Sequence, residues 1–110
     1  MATRSARLAA GRLVGRPAGQ IYVCPADRVV IVKAALVSNL VATSQKVQLY
    51  VTTSDASVAV GIEIKDVPPN GPAAFTTWTV LEPGDGLNLS WESGSIAYWV
   101  SGALLPLLPT

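Results

Sequence analysis

The sequence predicts an all-β fold, an antiparallel β-sandwich or jelly roll of about seven to eight short strands with an extended N-terminal arm. Three observations predict it. Valine, isoleucine and threonine together fill 27 of the 110 positions, and β-branched side chains pack well on a pleated surface. Apolar residues recur at period two in several segments, which places them on one face of a strand. Eight prolines and nine glycines fall mainly between the apolar runs and punctuate them as turns.

Taken in order, residues 1–18 form a basic arm, 19–105 the sandwich, and 106–110 a short Pro/Leu tail. Gly19-Gln-Ile-Tyr-Val23 reads as a short strand closed by Cys24-Pro-Ala-Asp27. Residues 28–39, RVVIVKAALVSN, are apolar on both alternating faces, so one face is expected to meet the core and the other a neighbouring sheet or subunit. Val30, Val32 and Leu36 are the residues expected at that interface. In 46–53, Val47, Leu49 and Val51 alternate with Lys46, Gln48 and Tyr50. In 58–64, Val58, Val60, Ile62 and Ile64 are expected inward, against Ala59, Gly61 and Glu63. Val67-Pro-Pro-Asn-Gly-Pro72 must be a loop, because three of its six residues lack an amide donor. Strands resume over 73–81, 87–91 and 96–104.

Charge is sparse and uneven. Only 14% of residues are charged, against a typical ~25%. A small domain has much surface for its volume, so this poverty predicts that part of the surface is covered in a homo-oligomer, with a trimer favoured. Residues 1–16 carry Arg4, Arg7, Arg12 and Arg16 and no acid, whereas the remainder holds four bases and seven acids. The arm is therefore expected to anchor the protein to an acidic partner through Arg4, Arg7, Leu8, Arg12, Leu13 and Arg16. The four arginines have no aromatic interleaving, which disfavours nucleic acid. No apolar run reaches the ~18–20 residues that span a bilayer. Arg12 interrupts the apolar stretch a secretory signal would need.

The chain contains no histidine, which removes Ser-His-Asp and Cys-His nucleophiles, mixed Cys/His zinc sites and histidine general bases together. Cys24, the single cysteine, reads as a buried small hydrophobe. Glu82-Pro-Gly-Asp85 offers two carboxylates, but Pro83 pre-sets φ for the second position of a turn, Gly84 permits positive φ at the third, and Asp85 can bond nearby amides. It is expected to turn the chain and hold no metal. Asn88-Leu-Ser90 matches a glycosylation sequon but sits within a strand pattern. No catalytic residue, metal or cofactor is expected, and the protein is read as a non-enzyme.

The segments IYVCPADRVVIVKAALVSN, KVQLYV, TVLEPGDGLNLSW and IAYWVSGALL resemble small structural proteins of tailed bacteriophage virions. The shared pattern spans residues 20–105: a strand ending in a proline turn, then a strand with a positive residue, an apolar run and Ser/Asn. A Leu-x-Pro-Gly-Asp-x-Leu turn and a closing aromatic-Val-Ser-Gly strand follow. The resemblance implies a virion protein that decorates the capsid, binding the outer shell and the major capsid protein as a homo-oligomer. A minor tail protein, bound to other tail proteins, is the alternative within that class. From a different class, a carbohydrate-binding jelly roll could use Trp78, Trp91, Trp99 and Tyr98 as stacking platforms.

Overall fold

The computed structural model describes residues 5–14, 18–55, 57–92 and 94–106. Nine strands run through them: β1 (Ser5–Val14), β2 (Ala18–Val23), β3 (Arg28–Asn39), β4 (Gln45–Thr52), β5 (Ala59–Val67), β6 (Pro72–Phe75), β7 (Thr79–Leu81), β8 (Gly86–Trp91) and β9 (Ser95–Pro106). Every pairing is antiparallel. The first strand pairs with the last, β2 with β8, β3 with both β6 and β7, and β4 with β5. These are the nested pairs of one long ribbon folded at the β4–β5 hairpin and rolled. If β6 and β7 count as one interrupted strand, the result is an eight-stranded jelly roll. The first sheet has the order β1-β9-β3-β6, with β7 also on β3, and the second the order β2-β8-β4-β5.

The core lies between the sheets. Val30, Val32, Phe75, Leu81, Ile96 and Val100 project from the first sheet, and Val47, Leu49, Leu87 and Leu89 from the second, all essentially without solvent contact. Burial of each such side chain contributes about 1.5–3 kcal/mol, so this layer is the main source of stability.

Three expectations need correction. Residues 5–14 are not an arm set apart from the sandwich: they form edge strand β1, in register with β9 from Ser5↔Ala103 to Val14↔Ser95. The physical reason is alternation that small residues conceal. Ala9, Gly11 and Leu13 share the inner side with Val100, Tyr98 and Ile96, while Arg7, Ala10 and Arg12 lie across from Ser101, Trp99 and Ala97 on the outer side.

The second correction concerns β3. Val30 and Val32 face the protein's own core and not another subunit, with 0% and 1% exposure. Leu36 lies on the opposite, outer face. The β3–β9 register shifts between Val32 and Ala34, and this bulge reverses the alternation, so Ala35 and Val37 turn inward in place of Ala34 and Leu36. Gly102 makes the bulge feasible: a Cβ there would collide with the Ile31 carbonyl oxygen.

The third lies at and just before β5, where Val58, Val60 and Ile64 are exposed, not inward. The β4–β5 register shifts opposite Ile62, pairing Leu49 with Glu63 but Tyr50 with Gly61. Ile64 is thereby placed across from outward-facing Gln48, while Glu63 and Lys65 occupy the other side and pair at 3.4 Å.

Candidate interaction face

The five strands of the first sheet contain no acidic residue. Across its outer side runs a row set by register, Ala10–Trp99–Leu36–Ala74 from β1 through β9 and β3 to β6. Trp99 and Leu36 are each about half exposed, at 47% and 48%. A shallow groove beside them is lined by Leu36, Ser38, Ala97, Tyr98 and Trp99. Val80 and Trp78, at and just before β7, extend the apolar surface and are more exposed still.

Cations stand among these apolar groups. The Arg7 guanidinium lies 5.0 Å from the Trp99 ring centroid, and Lys33 Nζ lies 5.3 Å from that of Trp78. Each such contact is worth about 0.5–1 kcal/mol at an exposed site, enough to orient both partners. Arg12, exposed and across from Ala97, completes a basic border. Apolar and basic groups on strands without acids are complementary in chemistry to a surface that is apolar at its centre and carries carboxylates.

Of the residues expected to bind a partner, the fold gathers some and separates others. Arg7 and Arg12 share the outer face with Leu36. Leu8 and Leu13 pack against the core instead, Leu13 in van der Waals reach of Gly19 on the opposite sheet. Arg4 and Arg16 lie outside the described residues. Trp99 and Trp78 are the members of the face that sequence reasoning assigned elsewhere. The signal for Trp99 was available, since in IAYWVS it alternates against Val100 and Tyr98. Trp91 is buried, its indole N–H donating to the Gly94 carbonyl at 3.0 Å, and Tyr98 packs against the core. Of the four aromatics considered as sugar platforms, Trp78 and Trp99 are exposed and Tyr98 is half-buried at the groove, and a cation already stands over each of the two tryptophan rings.

The chemistry elsewhere is structural. Glu82-Pro-Gly-Asp85 is a turn: the Asp85 amide donates to the Glu82 carbonyl at 2.9 Å, the Glu82 amide donates to Asp85 Oδ2 at 2.9 Å, and Gly84 has φ +87°. The Cys24 thiol is buried and donates to the carbonyls of Arg28 and Leu81. Burial pushes its pKa up, and the Asp85 and Glu82 carboxylates add to the rise. It is a protonated donor and a poor nucleophile.

No protein-family model matches the sequence, and no curated protein matches it significantly. Several solved structures are similar to it at low identity. Eiger TNF from S. frugiperda is 11% identical, with 98% of this chain and 94% of that one covered and a TM-score of 0.48. The NLP core of Drosophila, whose structure bears on pentamer formation and histone binding, is 10% identical over 94% of this chain and 97% of its own, with a TM-score of 0.45. A chain of infectious bursal disease virus, Gx strain, is 9% identical over 99% of this chain, with a TM-score of 0.51. This chain spans 38% of the viral one. At such identities a likeness carries the fold and not the role.

Proposed function

We propose that this chain is a non-enzymatic structural protein of a virion, a capsid decoration protein that binds the outer shell as a homo-oligomer, with a trimer favoured. The observation that carries the proposal is the acid-free outer face of the first sheet. A broad, shallow surface bearing Trp99, Leu36, Val80, Arg7 and Arg12 suits a protein lattice better than a small ligand, which needs a concave pocket. The resemblance of residues 20–105 to phage virion proteins points the same way, and the jelly roll shared with an infectious bursal disease virus chain is compatible with it. The chain has no histidine and its one thiol is buried, so histidine bases and thiolate nucleophiles are not available to it.

A minor tail protein is the second reading, since the same face would serve a tail lattice. Co-sedimentation with purified empty shells, and separately with purified tails, tests both. Saturable binding to shells, weakened by Arg7→Glu, supports decoration. Binding to tails alone moves the assignment to the tail. Binding to neither, with retention on a glycan array, would replace both with a carbohydrate-binding role.

A further inference from the structure

Both halves of one contact are present on this single chain. The first is the basic and apolar outer face just described. The second lies at the end of the sandwich where the β2–β3, β4–β5 and β7–β8 turns meet. There the Cys24 amide donates to the Asp85 carbonyl at 2.9 Å, and the Gly84 amide donates to the Cys24 carbonyl at 3.0 Å. Ser54 of the β4–β5 turn lies so near Gly84 that a Cβ on the glycine would come 2.6 Å from the Ser54 Cβ. The three turns thereby bring Asp27, Asp55, Glu82 and Asp85 to one end of the molecule. Among the described residues of these turns the base is Arg28, already paired with Asp27 at 2.9 Å. Val23, which ends β2, and Val58, just before β5, are each about half exposed at the same turns.

We infer that the outer face of the first sheet docks the acidic turn end of a second copy of this chain, head to tail, and that successive contacts close into a ring. Opposite charge and apolar surface occur on both sides of this contact. The alternative self-association, face against face, would set Arg7 and Arg12 of each copy against those of the other, and like charges across an interface are disfavoured. A head-to-tail contact uses each face once and each end once, so its closed products are rings. The inference rests on the homo-oligomer in the proposed function and not on the virion assignment.

The test is mass in solution, by light scattering or native mass spectrometry, of the full chain and of two charge variants. The face variant is Arg7→Glu with Arg12→Glu, and the end variant is Asp27→Asn with Glu82→Gln, so that no new pair of opposite charges arises between the two altered sides. Arg7, Arg12, Asp27 and Glu82 are all exposed, and the pair that Asp27 makes with Arg28 is on the surface, so folding is expected to survive. The wild type should be an oligomer whose association weakens with added salt. Each variant alone should dissociate at least about tenfold more readily. An equimolar mixture should form a two-subunit complex and stop there, because only the face of the end variant and the end of the face variant remain intact. That capped dimer also reports that both variants are folded. Re-formation of the full oligomer in the mixture, or wild-type masses for both variants, would overturn the contact while leaving an oligomer in place. A wild-type monomer at about 100 μM would overturn the contact and the homo-oligomer together, leave the virion assignment standing, and give the face to a different protein.

Discussion

The two ends of the sandwich are tied by different chemistry. At the acidic end, the turns are held by backbone amides and by carboxylates that remain in contact with water. At the other end the tie is a buried pair of neutral amides. Asn39, fully buried at the end of β3, donates through Nδ2 to the carbonyls of Thr43 and Pro68 at 2.7 and 3.2 Å. Its Oδ1 accepts from the Val41 amide at 3.0 Å and from Gln45 Nε2 at 2.8 Å. Gln45 Oε1 in turn accepts from the Glu92 amide at 3.1 Å. One asparagine thus joins the β3–β4 and β5–β6 loops and, through Gln45, the β8–β9 turn. A buried network of this kind is strong when complete and costly when broken, whereas solvated carboxylates lose little when altered. The contrast teaches which end fixes the fold and which is free to bear charge for other uses.

The largest effect should follow from removing the hub. Asn39→Ala leaves the Val41 amide, a Gln45 proton and two carbonyls without their partner. We expect a loss of about 3 kcal/mol, roughly a 10–15 °C fall in Tm by calorimetry. Asn39→Asp should be at least as harmful near neutral pH, because a carboxylate would face carbonyl oxygens that need a donor. A fall of only a degree or two for both would mean that the loops hold themselves.

Next in size is the acidic end's own fixed point. Gly84→Ala places a side chain at φ +87° and against Ser54. The left-handed conformation alone costs about 1 kcal/mol, and the collision adds to it, so about 2 kcal/mol in a urea denaturation is expected. Ser54→Gly should recover part of that loss, and no recovery would show that the backbone conformation carries the whole effect.

The difference between the ends also explains what was legible in the sequence. The turn at 82–85 is local: proline, glycine and aspartate each act on their immediate neighbours, and the structure forms the turn read from them. The alternation of β4 is similarly plain, with Val47 and Leu49 buried. Asn39 was invisible as a hub because its partners lie 4, 6 and 29 residues away and meet only in the folded molecule. The bulges near Lys33 and Ile62 were hidden for the same reason. A period-two reading assumes an unbroken ladder, and one extra residue, Lys33 opposite the Ser101–Gly102 step or Ile62 opposite the Leu49–Tyr50 step, inverts every inference beyond it. The interaction face followed from β1, whose glycine and alanines mask its alternation. Once β1 is placed on β9, Arg7 and Arg12 fall beside Trp99.

A smaller effect is expected at Asp85. Its carboxylate accepts one amide hydrogen bond, from Glu82 at 2.9 Å, which an asparagine side-chain oxygen can also accept. Asp85→Asn should cost about 0.5 kcal/mol or less, and Asp85→Ala about 1 kcal/mol. Equal losses for the two variants, read from the denaturation midpoint, would show that the charge and not the hydrogen bond matters there.

The smallest effect is electrostatic and distinguishes the ends by pH. Asp55 Oδ1 accepts from the Ser57 hydroxyl at 2.7 Å, the Ser57 amide at 3.0 Å and the Thr53 hydroxyl at 2.8 Å. These bonds favour the ionised form, led by the Ser57 side chain, and hold its pKa down at about 2 against an ordinary 3.8. A carboxylate with a depressed folded pKa contributes stability that is complete above its unfolded value. That contribution is lost as pH falls through the folded value. The relevant window is therefore from about pH 4 down to about pH 2. Because Asp55 is exposed, water screens the contribution and it is modest. Asp55→Asn removes the ionisation and retains an acceptor. The gap in denaturation midpoint between wild type and Asp55→Asn should be widest near neutrality and close across that window. The gap for Asn39→Ala, between neutral groups, should stay constant over the same range. If the Asp55 gap persisted unchanged to pH 2, the turn would be held by its hydroxyl geometry alone, and the two ends would share one pH-independent chemistry.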